Sequence, residues 1–439
     1  MTDKLVIIGG VAGGATAAAR ARRLNEDAEI VVFERGQYIS FANCGLPYYI
    51  GEVIKERDAL LVTTADAFQS RYRVDVRLYT EVVAIDRDNK TVQVKNAETG
   101  QQYTESYDKL IVSPGAEPVR PPLEGIDYDN IFTLRNVPDT DRIKAYVDHE
   151  KPESAVVVGG GFIGLEMAEN LAFRGVKTTI VEKLDQVMPS MDYDMAGLIH
   201  AHLMEKGVGL ELGDGIAAFE KSGNRLVVKT EKGKAIECDM VILAAGVKPE
   251  NQLAKQAGLE VGSLGGISVD QSLQTSDPHI YAIGDAAEVR DFLTGAKAMT
   301  PLAGPANRQG RIAADNAMGR SSVFYGTIGT SIVQVFEQTV AGTGLSEKRL
   351  KQNGTDYLVS YTHSGSHAGY YPGAEMMAIK LMFSPSTGLI LGAQIVGKDG
   401  VDKRIDVLAT AIYGKMTVFD LQHLELAYAP PYGSAKDPA

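Results

Sequence analysis

Cysteine is scarce in this chain: two residues in 439, Cys44 and Cys238. That excludes a disulfide framework and suits a reducing, cytoplasmic compartment. Basic residues are not in excess either. The net charge of −12 argues against nucleic acid as a general partner. No apolar run approaches the ~18 residues that a membrane span needs. The N-terminal run Leu5-Val6-Ile7-Ile8 is too short for a signal-peptide core and leads straight into glycines. The histidines offer no persuasive ligand spacing, His363 and His367 merely flanking a Ser/Gly loop, so no metal is expected. What remains, 44% apolar and 23% charged residues, is ordinary for a globular protein. The length calls for two or three domains.

Glycine is plentiful, at 46 residues, and it falls in two matching places. The first follows the apolar strand at 5–8: Gly9, Gly10, Val11, Ala12, Gly13 and Gly14 precede an Ala/Arg-rich helix, and a second strand, Ile30-Val31-Val32-Phe33, ends in Glu34 and Arg35. The second follows the strand at 155–158: Gly159, Gly160, Gly161, Phe162, Ile163 and Gly164 precede a helix at 165–174, and the strand at 178–181 ends in Glu182. Each is a strand–glycine loop–helix–strand unit with an acid placed to hold a ribose, and each loop delivers phosphates to a helix N-terminus. Two such units predict two bound dinucleotides. Val11 occupies the place of the middle glycine, so the first loop or its ligand should be displaced. Glu182 favours NADH by repelling a 2′-phosphate, although Lys183 beside it runs the other way.

Between the units lies Ser40-Phe41-Ala42-Asn43-Cys44-Gly45-Leu46-Pro47-Tyr48-Tyr49. A thiol at the start of the helix expected over 45–54 should have a lowered pKa and act as a nucleophile. Polar Ser40 and Asn43 make an inert core position a poor alternative. Cys238 reads as structural. Strands are also expected at 76–86, 90–95, 107–112 and 240–244. Ser113-Pro114-Gly115 and Gly246 end two of them with turn residues. Gly284-Asp285 follows a short apolar strand, where Asp285 would bond a polyol hydroxyl or cap a following helix. Pro305 to Gly310 should lead into another helix. From about 325 the pattern predicts an antiparallel sheet (330–336, 357–362, 376–383, 389–396) and a helix at 402–414. Arg20, Arg22 and Arg23 form a basic cluster, open to reading as a solvated face or as a site for an acidic ligand.

Together these residues resemble the flavin- and pyridine-nucleotide-linked disulfide oxidoreductases. Such reductases usually carry a cysteine pair five apart, but Ile39 and Tyr49 stand at those positions. The chain is similar to the single-cysteine branch, and within it to the coenzyme A disulfide and persulfide (polysulfide) reductases. Oxidases and peroxidases of the branch usually have a His where this chain has Ala12. The resemblance implies an α/β fold with an FAD domain (1–113 and 247–324), an inserted NAD(P)H domain (114–246) and a C-terminal α+β dimerisation domain (325–439). FAD contacts are implied for the first glycine loop, Glu34, Arg35, Asn43, Ser113, Pro114, Gly115, Gly284, Asp285 and Pro301. It further implies a coenzyme A site of Thr16, Arg20, Arg23, Ser40, Asn43 and Arg71, with Asn307 and Lys436 as weaker members. Tyr370 and Tyr428 would reach Cys44 from the partner chain of a homodimer. Relatives often continue into a rhodanese domain, so this sequence reads as a single module or as the reductase portion of a longer protein. The alternatives are an NADH oxidase or peroxidase working through a Cys44 sulfenic acid, and an NADH-binding flavoprotein redox sensor.

Overall fold

The computed structural model describes residues 4–439. Two parallel sheets carry the glycine units. In the first, five strands run in the order Ile280–Ala282, Lys109–Val112, Lys4–Ile8, Glu29–Phe33, Asp75–Arg77. In the second the order is Gly209–Leu212, Lys177–Glu182, Ser154–Val158, Met240–Leu243, Ile131–Thr133. Leu5, Val6, Ile7, Val156 and Val157 are fully buried, as expected of strands covered on both faces. A three-stranded antiparallel meander accompanies each sheet, Thr80–Asp86 with Thr91–Asn96 and Gln102–Ser106, and Ile216–Ser222 with Arg225–Thr230 and Ala235–Cys238. The two halves therefore repeat one plan, and the α/β class stands.

The C-terminal part is an antiparallel sheet in the order Ser331–Val335, Gln338–Gly344, Ile390–Gly397, Met376–Phe383, Leu358–Gly365. The helix Val401–Tyr413 packs on it. One charged cluster joins this sheet to the second parallel unit. Lys380, buried completely, lies 3.1 Å from Asp192, 2.9 Å from Asp194 and 2.7 Å from Glu347. Three carboxylates around one ammonium offset the cost of burying it, and the lysine fills the space a metal would take.

Several local expectations are corrected. The stretch 76–86 breaks at Tyr79, which has φ 51°, and its two halves join different sheets. The helix after Cys44 is only Leu46–Ile50 and stops at Gly51, whose Cβ would fall 2.0 Å from Asn170 Oδ1. The helix placed after Gly310 spans Ala303–Ala317, because Pro305 is tolerated in a first turn where its missing N–H is not needed. Asp285 caps no helix, since a single 3-10 turn, Gly284–Ala286, leads into the strand Ala287–Arg290.

Candidate active site

The two glycine loops are built alike. Gly9 (φ 93°) and Gly159 (φ 105°) both lie in the left-handed region. A Cβ on Gly9 would meet Ser113 O at 2.1 Å, and one on Gly159 would meet Ala244 O at 2.3 Å. The last glycines, Gly14 and Gly164, each bring the helix so close that a Cβ would lie 1.9 Å from the first glycine's carbonyl. Glu34 accepts from the Gly10 and Gly36 amides, both at 2.8 Å. Glu182 accepts from Gly160 at 2.7 Å and Leu184 at 2.8 Å. Each carboxylate oxygen keeps a free lone pair toward its loop, as a ribose diol requires. Lys183 pairs with Glu231 at 3.0 Å.

The first loop is displaced relative to the second. The second helix starts at Phe162, whereas the first starts one position later, at Gly13, after Ala12 adopts φ 38° and ψ −97°. Ala12 carries a strained, positive-φ backbone that its counterpart Phe162 in the second loop avoids.

Around the first loop the chain closes a cradle. A Cβ added to Gly13 or Gly284 would come within van der Waals reach of Ser113 Oγ, at 3.4 and 3.7 Å. The buried Gln309 accepts from the Gly284 amide at 2.7 Å and so places Asp285. Asp285 accepts no hydrogen bond from the described residues, and burial raises its pKa, with Arg135 opposing. An unpartnered half-buried carboxylate beside a glycine loop fits a polyol-bearing dinucleotide. Arg35 pairs instead with Glu250, at 2.6 Å. Pro114 accepts from Arg135 at 3.2 Å. Gly115 and Gly246 take positive φ at the crossing between the halves, and Pro301 is exposed just before the helix at 303.

The Cys44 segment hangs on this loop. The Ser40 amide donates to Gly10 O at 3.0 Å, and Ser40 has φ 47°. Asn43 and Cys44 are exposed in the 3-10 turn Asn43–Gly45. Cys44 forms the wall of a cleft of about 480 Å³ with Tyr48, Glu166 and residues of the C-terminal part, including Gln334, Lys398, Gly400 and Asp402. Tyr48 Oη donates to Glu166 Oε1 at 3.3 Å. Burial pushes Glu166 up to about 7. Glu169, one turn on, is also pushed up to about 7 by burial, and its Oε2 is buried without a partner. The expected lowering of the Cys44 pKa is overturned. Desolvation by the cleft walls, then Glu166 and Asp285, push the thiol up. The helix that follows has only five residues, so the favourable dipole at its N-terminus is weak. Sequence reasoning missed Tyr48, Glu166 and Glu169; the only signal was a pair of acids inside a mostly apolar helix. Cys238 is buried in its meander and pushed up to about 12 by burial, so it remains structural.

The basic residues assigned to coenzyme A are partly engaged. Arg20 pairs with the buried Asp315 at 2.7 Å, and Arg22 caps the carbonyls of Tyr72 and Arg73. Arg23, Arg71 and Lys436 are exposed. Thr16 Oγ1 donates to Asn307 Oδ1 at 2.7 Å, which brings those two together. Tyr370 and Tyr428 are also brought together, their hydroxyls 2.8 Å apart on the surface.

A family model described as pyridine nucleotide-disulphide oxidoreductase matches residues 3–310, and its dimerisation-domain counterpart matches 330–438. The chain belongs to the pyridine nucleotide-disulphide oxidoreductases. Membership makes it an FAD-dependent oxidoreductase working with NAD(P)H, in keeping with its two glycine units. The coenzyme A disulfide reductase of Staphylococcus aureus is 39% identical over 435 residues, covering 99% of this chain and 97% of that protein. The crystal structure of reduced Bacillus anthracis CoADR-RHD is 55% identical with a TM-score of 0.98, covering 100% of this chain and 79% of that one. The NAD-dependent persulfide reductase from A. fulgidus is 40% identical with a TM-score of 0.96, over 99% of this chain and 81% of that one. Among the described residues no helix is long and apolar enough to cross a membrane.

Proposed function

We propose that the protein reduces coenzyme A disulfide or coenzyme A persulfide with NAD(P)H, NADH being preferred. The observation that carries this reading is the lone exposed thiol of Cys44 on the wall of a cleft, with the other cysteine locked in a distant meander. Cys44 and Cys238 are not placed to form a disulfide with each other, which favours a partner sulfur from outside these residues, here that of coenzyme A. Residues 1–113 with 247–324 form the FAD domain in this reading, 114–246 the NAD(P)H domain and 325–439 the dimerisation domain.

FAD supplies two-electron transfer from NAD(P)H to sulfur when bound. Glu34, the first glycine loop and Asp285 hold it, and Glu182 with the second loop holds the nicotinamide dinucleotide. The Cys44 thiolate attacks one sulfur of coenzyme A disulfide. That step breaks the substrate S–S bond, forms a Cys44–coenzyme A mixed disulfide and releases one coenzyme A thiolate. Two electrons from NAD(P)H and a proton then cleave the mixed disulfide, freeing the second coenzyme A and restoring Cys44. Tyr370 and Tyr428, donated by the partner subunit of a homodimer, stabilise the departing thiolate, and their mutual hydrogen bond supports a paired role. Thr16, Asn307, Arg23, Arg71 and Lys436 line the coenzyme A path, with Arg20 held in place by Asp315.

The test is to denature purified protein without reductant, add dithiothreitol, and weigh the released thiol by mass spectrometry. Coenzyme A in near-stoichiometric amount is expected. No released thiol, with Cys44 present as sulfenic acid, would transfer the protein to the oxidases and peroxidases.

A further inference from the structure

The segment 424–439 contains neither helix nor strand, yet it is anchored firmly. Its anchor is Asp437. Arg404 Nε donates to Asp437 Oδ1 at 3.2 Å, and Arg404 Nη2 donates to Oδ2 at 3.0 Å. The Arg404 side chain is 1% exposed and Asp437 10%. Lys403 Nζ reaches Asp437 Oδ2 at 3.4 Å and the Ala427 carbonyl at 3.3 Å. The Ala368 amide donates to Gly433 O at 3.1 Å. The third arm of Arg404, Nη1, donates to Gly400 O at 3.1 Å, and Gly400 lines the Cys44 cleft.

A buried bidentate pair fixes both direction and distance, which a single contact cannot do. Here it fixes a coil segment that has no ladder or helix of its own to hold it. The two chain positions held most closely around the anchor, Ala427 and Ala368, are next to Tyr428 and two before Tyr370. The two hydroxyls that meet at 2.8 Å therefore stand on backbones tied to one clamp.

We propose that Asp437, through Arg404 and Lys403, is a positioning residue for Tyr428, holding its hydroxyl against that of Tyr370. This rests on the role given to the tyrosine pair above. Asp437 does not touch substrate in this scheme. It removes the freedom of the tail, so that Tyr428 does not have to be ordered anew at each turnover.

The test is a double-mutant cycle on the FAD-loaded full chain, with a separate structural probe. Asp437→Asn is expected to lower kcat for coenzyme A disulfide about as far as Tyr428→Phe does, with KM for NADH unchanged. In the Tyr428→Phe background it should cost nothing further, and Asp437→Glu should restore at least half of the lost activity. An equal loss in both backgrounds, or no loss where Tyr428→Phe is impaired, overturns the proposal. The probe is 3-fluorotyrosine at position 428, read by fluorine NMR. Its signal should move toward that of free fluorotyrosine in Asp437→Asn, and an unmoved signal overturns the clamp. If Tyr428→Phe is fully active, the reading of the tyrosine pair fails, and the fluorine signal still decides the clamp by itself. Should Asp437→Asn not fold, Lys403→Met takes its place, with the same two readings.

Discussion

A thiol used as a nucleophile works as its thiolate, and the residues around Cys44 oppose that form. Desolvation by the cleft walls comes first, then the carboxylates of Glu166 and Asp285. Glu166 shares the cleft with the sulfur and is itself pushed up to about 7. Below that pH it is largely neutral and adds little to the opposition; above it, its charge holds the thiol proton on. Glu166→Gln removes that charge at every pH. The variant should alkylate with iodoacetamide roughly three- to tenfold faster at pH 8, with much less gain at pH 5.5. Equal rates at both pH values would show that Glu166 does not face the sulfur. The thiol itself was legible in the sequence because it is unpaired and lies in a segment of turn and polar residues. Its pKa was not legible, because Glu166 reaches it from a helix of the other half of the chain. No periodicity encodes that meeting.

At the scale of elements, the helix Phe162–Phe173 carries Glu166, half-buried, and Glu169, buried. Each has a folded pKa raised from an ordinary 4.5 to about 7. A carboxyl with a raised folded pKa binds more protons folded than unfolded between those two values. Stability should therefore fall as pH rises through that window and stay low above it. Glu169→Gln should stabilise the protein at pH 8 by on the order of 1–2 kcal/mol, with no gain at pH 4, in urea melts at the two pH values. A second element contact is tighter. The helices Gly13–Leu24 and Ala303–Ala317 approach so closely that a Cβ on Gly310 would lie 2.3 Å from Gly13 O. Gly310→Ala should cost about 1–3 kcal/mol. It should also lower flavin occupancy, seen as a fall in the ratio of flavin to protein absorbance, because the displaced helix carries the glycine loop proposed to hold FAD.

Elements built on local rules were readable: the strands before each glycine loop, the acids at 34 and 182, the helix at 402–414. The strands Gln102–Ser106 and Gln338–Gly344 were not, because their alternation is weak and pairing with neighbours decides them. The helix Val137–Glu150 escaped for a similar reason. Its apolar stripe is thin, and the clear signals are its Asn136 cap and the proline in its first turn.

For the whole molecule, the proposed site draws Cys44 from one subunit and Tyr370 and Tyr428 from the other. Cys44→Ser and Tyr428→Phe homodimers should each be impaired. A co-expressed mixture should regain activity, because each heterodimer holds one complete site. With random pairing, about a quarter of wild-type activity is expected. A mixture no better than the average of its two parents would mean that each subunit works alone.

The first parallel sheet has a consequence for how the protein is made. Its strand Ile280–Ala282 pairs with Lys109–Val112, and between them in the chain lies the entire second sheet, from Ile131 to Leu243. A chain emerging from the ribosome N-terminus first thus completes the later unit before the earlier one. Until residue 285 has emerged, the first glycine loop exists without the strand and carboxylate that close its cradle. On the proposed assignment of the two halves, the nascent protein should acquire its nicotinamide-binding half first and become competent to take up flavin only late in synthesis.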